Sequence, residues 1–334
     1  MTQVIEAPRA LAEAMPPVQF VQTNGIRMAY YEVGPKGEGV PVIFCHGFPE
    51  LAFSWRHQLD AFEAAGRWAI APDQRGYGLT SRPERIEDYD LEQLTADIAG
   101  MMDALGIEKA IPCGHDWGGM VVWQFALRYP ERCAGVIGVN TPLLPRGEID
   151  PIAGMRAAFG EDMYIVWFQK PGEADAALAA DPERSMRFFM RKPMLTLKEY
   201  EQLPAEMRTL ALGEGLKLYD PANDPQQFLT DDEIGGILPV ARKVAIPVDP
   251  AGEARGCKRL AERGDLVEKV DVPSLMVMAE NDVVLSPAMT EGMERYVPDL
   301  ERVLVEKSGH WTQQEYPEEV NRAILGWLEK RFPR

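Results

Sequence analysis

The patterned part of the chain opens with two alternating stretches, Val18-Gln19-Phe20-Val21-Gln22 and Ile26-Arg27-Met28-Ala29-Tyr30-Tyr31-Glu32, separated by Asn24-Gly25. Alternation of apolar and polar positions predicts half-buried strands, and Asn-Gly supplies a tight turn, so an antiparallel hairpin is expected. Residues 40–45, 68–72, 134–139 and 274–279 are instead continuous apolar runs, the pattern of strands buried on both faces of a sheet. A further strand is predicted at 301–305. Between these runs apolar positions recur at helical spacing, most clearly Leu91, Leu94, Ile98, Met101, Met102 and Leu105, and helices are predicted over 55–64, 89–105, 120–127, 286–296 and 318–330. Strands alternating with helices predict an α/β fold, a mostly parallel sheet flanked by helices on both faces.

Two segments depart from that alternation. Residues 1–16 carry no pattern and are expected to be a loosely packed arm ending at Pro16-Pro17. Residues 143–265 hold many charges, several prolines and apolar residues at helical spacing, as in Met163-Tyr164-Ile165-Val166-Trp167-Phe168 and Met186-Arg187-Phe188-Phe189-Met190. They predict a helical lid inserted into a core formed by residues 1–142 and 266–334, covering the C-terminal edge of its sheet. There are no internal repeats and no low-complexity segments.

Composition narrows the function. A chain of 334 residues with 46% hydrophobic content can bury the core of an enzyme-sized domain. Its formal net charge of −17 opposes nucleic acid and anionic membrane surfaces, because phosphate contacts would be repulsive. A small uncharged organic substrate fits better. The first residues lack the basic flank and apolar run of a secretion signal, and no window reaches the roughly 18 apolar residues of a membrane span. Cys45, Cys113, Cys133 and Cys257 are scattered without metal-type spacing, and reduced thiols in a cytoplasmic protein are expected. No metal or cofactor is expected, and a homodimer is an open expectation.

Candidate chemistry gathers where strands end. Gly114-His115-Asp116-Trp117-Gly118 follows an apolar strand and precedes a helix, the arrangement of a nucleophile elbow with Asp116 at its tip in place of serine. A carboxylate there points away from ordinary ester hydrolysis. Asp282 follows the strand at 274–279, and His310 follows the last strand. Both therefore belong to the same sheet edge as Asp116, in the order nucleophile, acid, histidine. His57 lies in a helix and His115 directly precedes Asp116, so neither is placed to act as the base, and His46 is read as structural. The backbone N–H groups of Phe48 and Trp117 are the expected oxyanion donors.

His46-Gly47-Phe48-Pro49, Ser54-Trp55-Arg56, Asp73-Gln74-Arg75-Gly76-Tyr77-Gly78, Gly114-His115-Asp116-Trp117-Gly118-Gly119 and Gly309-His310-Trp311-Thr312-Gln313 together resemble the soluble epoxide hydrolases of the α/β-hydrolase superfamily. The resemblance implies Asp116 as nucleophile, His310 as base and Asp282 as the acid that orients it. It implies an alkyl ester on Asp116, hydrolysed by water that His310 activates. It also implies two lid tyrosines that give the epoxide oxygen a proton. Tyr164, in Tyr164-Ile165-Val166-Trp167-Phe168-Gln169-Lys170-Pro171-Gly172, matches the first, but residues 235–266 contain no tyrosine where the second is expected. Tyr200 and Tyr219 lie earlier, and Tyr219 is the candidate substitute. Trp167, Phe168, Trp311 and Tyr219 are the expected substrate-pocket residues. Two rival readings stand beside this one: a haloalkane dehalogenase whose halide rests on the indoles of Trp117 and Trp167, and a ligand-binding relative without turnover.

Overall fold

Asn24-Gly25 turns the chain as predicted, with both residues at positive φ (40° and 76°). The turn pairs β1 (Gln19–Thr23) with β2 (Ile26–Val33), Thr23 lying opposite Ile26. The computed structural model describes residues 9–144, 150–241 and 269–334. Six further strands, β3 (Val42–Cys45), β4 (Ala69–Pro72), β5 (Ile111–His115), β6 (Val136–Val139), β7 (Ser274–Ala279) and β8 (Leu300–Val305), complete one sheet in the order β1-β2-β4-β3-β5-β6-β7-β8. The two junctions made by β2 are antiparallel and the rest are parallel. The sheet is thus the mostly parallel one that the apolar runs predict.

Successive residues of a strand point to opposite faces, and the core divides accordingly. Val42 and Phe44 pack with Trp55, Leu59, Phe62, Val320 and Ile324, whereas Ile43 and Cys45 pack with Ile98, Met102, Val122 and Phe125. Helices Arg56–Ala64 and Pro317–Arg331 therefore cover one face, and Leu91–Leu105 and Trp117–Arg128 cover the other. The six parallel strands β3 to β8 end at one edge, and Phe48, Asp116, Asp282 and His310 follow the ends of β3, β5, β7 and β8.

Between β6 and β7 the described residues form helices, turns and one isolated antiparallel bridge between Arg191 and Gln227, the helices including Tyr164–Phe168, Pro182–Phe189, Leu212–Leu218 and Asp231–Ala241. This segment touches the C-terminal edge at several points. The Phe189 carbonyl accepts from the Trp311 indole at 2.7 Å, the Leu197 N–H donates to Asn281 at 3.1 Å, and Phe48 packs edge-on against Phe168 and Phe189. The expected stretch 242–265, with Cys257, lies outside the described residues. The other three cysteines are buried free thiols.

Two sequence expectations are corrected. The arm is not loose over its second half: Arg9–Ala14 is a short helix that packs on Asp231–Ala241, with Leu11 and Met15 buried among Ile234, Ile237 and Val240. Leu11 and Met15 are four positions apart, so even this short helix presents an apolar side. The helix expected at 286–296 is two 3₁₀ turns, Pro287–Thr290 and Met293–Arg295, because Gly292 between them adopts φ of 76° and interrupts the helical backbone. No helix among the described residues is long and apolar enough to cross a membrane.

Candidate active site

Asp116 stands at the junction of β5 and helix Trp117–Arg128 with φ 52° and ψ −122°, a backbone conformation that side-chain-bearing residues rarely adopt. The flanking glycines make the turn feasible by leaving room. A Cβ on Gly114 would run into the Gly118 carbonyl, one on Gly118 into the Cys45 carbonyl, and one on Gly119 into the Thr141 side chain. Gly47 lies directly against the Asp116 side chain for the same reason. That close approach brings the Phe48 N–H to Asp116 Oδ1 at 2.8 Å. The Trp117 N–H, at the first helical position, is one of the donors that no carbonyl of its own helix takes. Thr141 Oγ1 donates to the Asp116 carbonyl at 2.8 Å and secures the strained peptide.

The other oxygen of Asp116, Oδ2, faces His310 Nε2 at 3.6 Å. His310 Nδ1 meets Asp282 Oδ2 at 2.8 Å. Asp282 is in turn fixed through Oδ1 by the N–H groups of Val284 and Leu285, each at 2.9 Å, and through Oδ2 by Asn140 Nδ2 at 2.8 Å. The structure thus brings Asp116, His310 and Asp282 into one line. Burial works against the charge of Asp282, but the His310 charge and hydrogen bond, the Leu285 N–H and Asn140 outweigh it, so its carboxyl lies far below the usual range. Asp116 is lowered in the same way, against burial, by His310, His115 and the Phe48 N–H. Burial likewise opposes an imidazolium at His310, yet the charges of Asp282 and Asp116 hold its pKa well above the ordinary histidine value. Each of the three groups thus favours the charged form of its neighbours.

A carboxyl that titrates lower in the folded than in the unfolded chain contributes stability that is complete above its unfolded pKa of about 3.9 and is lost as pH falls toward the folded value. Asp282→Asn should therefore flatten the decline of the thermal midpoint below about pH 4, measured by calorimetry across an acid series. An acid slope equal to that of the parent protein would contradict this.

In the helical segment Tyr164 is buried in a group with Met163 and Val166, within reach of the charges of Asp116 and Asp282. Its hydroxyl has no hydrogen-bond partner among the described residues. Burial, followed by the charges of Asp116 and Asp282, drives its pKa far up and keeps the phenol protonated. Phe168 lines a cavity of about 50 Å³ together with Gly47, Phe48, Tyr77 and Trp117. The other three expected pocket residues do not line that cavity. The Trp167 ring packs on Gly213, and the Trp311 indole donates to Phe189. Tyr219 packs near Phe48 and Phe188, but its hydroxyl is taken by Gln227 Nε2 at 2.8 Å and by Asp224, which with burial raises its pKa to about 12. The structure does not bring the Tyr219 hydroxyl to Asp116.

A family model described as alpha/beta hydrolase fold matches residues 40–317. The chain is 40% identical over 319 residues to Epoxide hydrolase A of Mycobacterium tuberculosis, covering 94% of this chain and 97% of that protein. The chain belongs to the epoxide hydrolase family. It is also 37% identical to the bifunctional epoxide hydrolase 2 of Sus scrofa over 91% of its own length, and spans about half of that longer protein (54%). The crystal structure of Epoxide Hydrolase A from Mycobacterium thermoresistibile superposes with a TM-score of 0.81 at 36% identity, covering 94% of this chain and 98% of that one.

Other residues of this epoxide hydrolase family member escape a sequence reading. Asn140, at φ 61° just after β6, bonds Asp282 and also donates to the His310 carbonyl at 2.9 Å. Its one sequence signal is an Asn in a strand-ending turn, a residue that tolerates positive φ. His115 is not idle behind the nucleophile. Its Nε2 lies 2.7 Å from the His310 carbonyl, which can only accept, and its Nδ1 lies 2.8 Å from Glu50 Oε2. Glu50, fully enclosed, also accepts from the Gly47 N–H and from the side-chain amides of Gln313 and Gln314. The pair joins the loop after β3 to the loop after β8. His46 Nε2 accepts from the Gln74 N–H at 3.0 Å, which ties the end of β3 to the loop after β4.

Proposed function

We propose that the protein hydrolyses a small, uncharged, apolar epoxide to a vicinal diol through an alkyl ester on Asp116. The observation that carries this reading is the unequal setting of the two Asp116 oxygens. Oδ1 rests on the Phe48 N–H, while Oδ2 is turned toward His310. Attack through Oδ2 breaks a carbon–oxygen bond of the epoxide ring and forms the ester. Oδ1 then becomes the ester carbonyl oxygen, already seated where the Phe48 and Trp117 N–H groups can hold the later oxyanion. Ring opening releases an alkoxide, and Tyr164 donates the proton that it needs.

In the proposed cycle His310 begins as an imidazolium between two carboxylates, the form that its raised pKa favours. Ester formation removes the negative charge of Asp116, one of the groups that keeps His310 protonated, so the imidazolium yields its proton and Tyr164 is restored as a phenol. Neutral His310, oriented by Asp282, takes a proton from water as that water adds to the ester carbonyl carbon. Collapse frees the diol and returns Asp116 as carboxylate and His310 as imidazolium. Residues 143–265 act as the lid that excludes bulk water, over a core of residues 1–142 and 266–334. Water is the second substrate, no nucleic acid or membrane partner is involved, and the protein works in the cytoplasm.

Styrene oxide supplied beside 1-bromobutane separates this reading from dehalogenation: diol without halide is the expected result, and halide without diol would overturn it. Tyr164→Phe should lower diol formation by about 10² to 10⁴-fold, the range of a lost general acid, since Tyr219 is engaged elsewhere. Turnover close to that of the parent protein would show that another group protonates the alkoxide.

A further inference from the structure

The residues on either side of His310 direct their backbone N–H groups at one side chain. Glu315 Oε2 accepts from the Gly309 N–H at 3.0 Å, and Glu315 Oε1 accepts from the Trp311 N–H at 2.9 Å. Only a carboxylate offers two accepting oxygens in this geometry, because a glutamine presents one oxygen and one donor group. The clamp is tight: a Cβ on Gly309 would meet Pro193 on one side and Glu315 Oε1 on the other. Burial pushes the Glu315 carboxyl up, while the Gly309 and Trp311 N–H groups and the charges of His310 and Lys192 favour its ionised form. The His310 carbonyl is held separately by His115 and Asn140. Glu315 is therefore the part of the support that fixes the loop through its N–H groups. Nothing in the chemistry of ring opening touches Glu315, since that step uses Asp116 and Tyr164.

We propose that Glu315 is a positioning residue for His310, clamping the peptide groups on both sides of it so that Nε2 reaches the water that cleaves the Asp116 ester. The proposal rests on the ester reading above. Its signature is a partition between two steps: hydrolysis of the ester depends on Glu315 and formation of the ester does not.

The test is single-turnover kinetics with a reactive epoxide, ester formation and ester decay being followed by rapid quench and intact mass. In Glu315→Gln, which loses one of two charge-assisted acceptors, decay should slow about tenfold. In Glu315→Ala, which releases both N–H groups, decay should slow about 10²-fold, the cost of a misplaced catalytic group. Ester formation should stay within about twofold in both, so the ester accumulates where the parent protein shows little. Equal slowing of both steps, or unchanged decay with only a lowered thermal midpoint, would overturn the proposal. If Glu315→Ala does not fold, Glu315→Gln carries the test, because it keeps the volume and one acceptor. The failure of the underlying reading looks different: in that case the parent protein itself never forms an ester.

Discussion

His310→Gln is expected to halt the cycle at the ester. Mixed with a reactive epoxide, the variant should gain the mass of one epoxide per chain, carried on the peptide that contains Asp116, while diol release falls about 10³-fold, within the range of a lost general base. The expectation follows from the division of labour across the site. Attack needs the Oδ2 lone pairs and the Tyr164 proton, and glutamine removes neither. Hydrolysis needs a group that can take a proton from water, and glutamine cannot. Asp282 remains to accept from the new amide, and Asn140 and His115 still donate to the carbonyl of residue 310. Intact-mass measurement over time is the readout. A panel of epoxides that leaves the variant unmodified would favour the ligand-binding reading instead.

The second large effect belongs to the nucleophile. Asp116→Ala should reduce diol formation to background and abolish the mass gain, because the remaining groups can polarise an epoxide but have no atom to bond its carbon. The same position allows a separate measurement of backbone strain. Asp116 holds φ at 52°, in a region where a Cβ is unfavourable and glycine is at ease. Asp116→Gly and Asp116→Ala both lose the carboxylate and its contacts with Phe48 and His310, so their difference isolates the strain. The glycine variant should unfold about 1 kcal/mol later than the alanine variant in denaturant titration. Equal stability would mean that the elbow is not strained at this residue.

Much of this was legible in the chain because the relevant signals are local. Asn24-Gly25 encodes its own turn, and continuous apolar runs encode strands covered on both faces. The glycines around Asp116 encode crowding that exists wherever a strand turns sharply into a helix. Since parallel strands end at one edge, placing Asp116, Asp282 and His310 just after strands was enough to bring them together.

What could not be read depends on contacts between loops far apart in sequence. Glu50, in the loop after β3, reaches His115 at the end of β5 and Gln313 and Gln314 beyond β8; Asn140 after β6 reaches Asp282 after β7. No spacing rule announces such partners. Glu315 lies close to His310 in sequence, yet its role appears only when the loop folds back to aim two N–H groups at it. The arm shows the same limit, for Leu11 and Met15 form a face only in the presence of Ile234 and Ile237. Gly292 is the exception, a visible breaker inside a stretch whose apolar spacing suggested a helix. Tyr219 is the converse case. Its place in the expected lid made it a reasonable proton donor by sequence, and Gln227 and Asp224 occupy the hydroxyl that the role requires.

In the proposed cycle the oxygen delivered to the epoxide carbon comes from Asp116 and not directly from water. A single turnover in water enriched in ¹⁸O, with enzyme in excess over epoxide, tests it. The first diol should be free of label and the peptide containing Asp116 should carry one ¹⁸O, because the water oxygen adds to the ester carbonyl carbon and stays with the carboxylate. Label in the first diol, with none in that peptide, would contradict it.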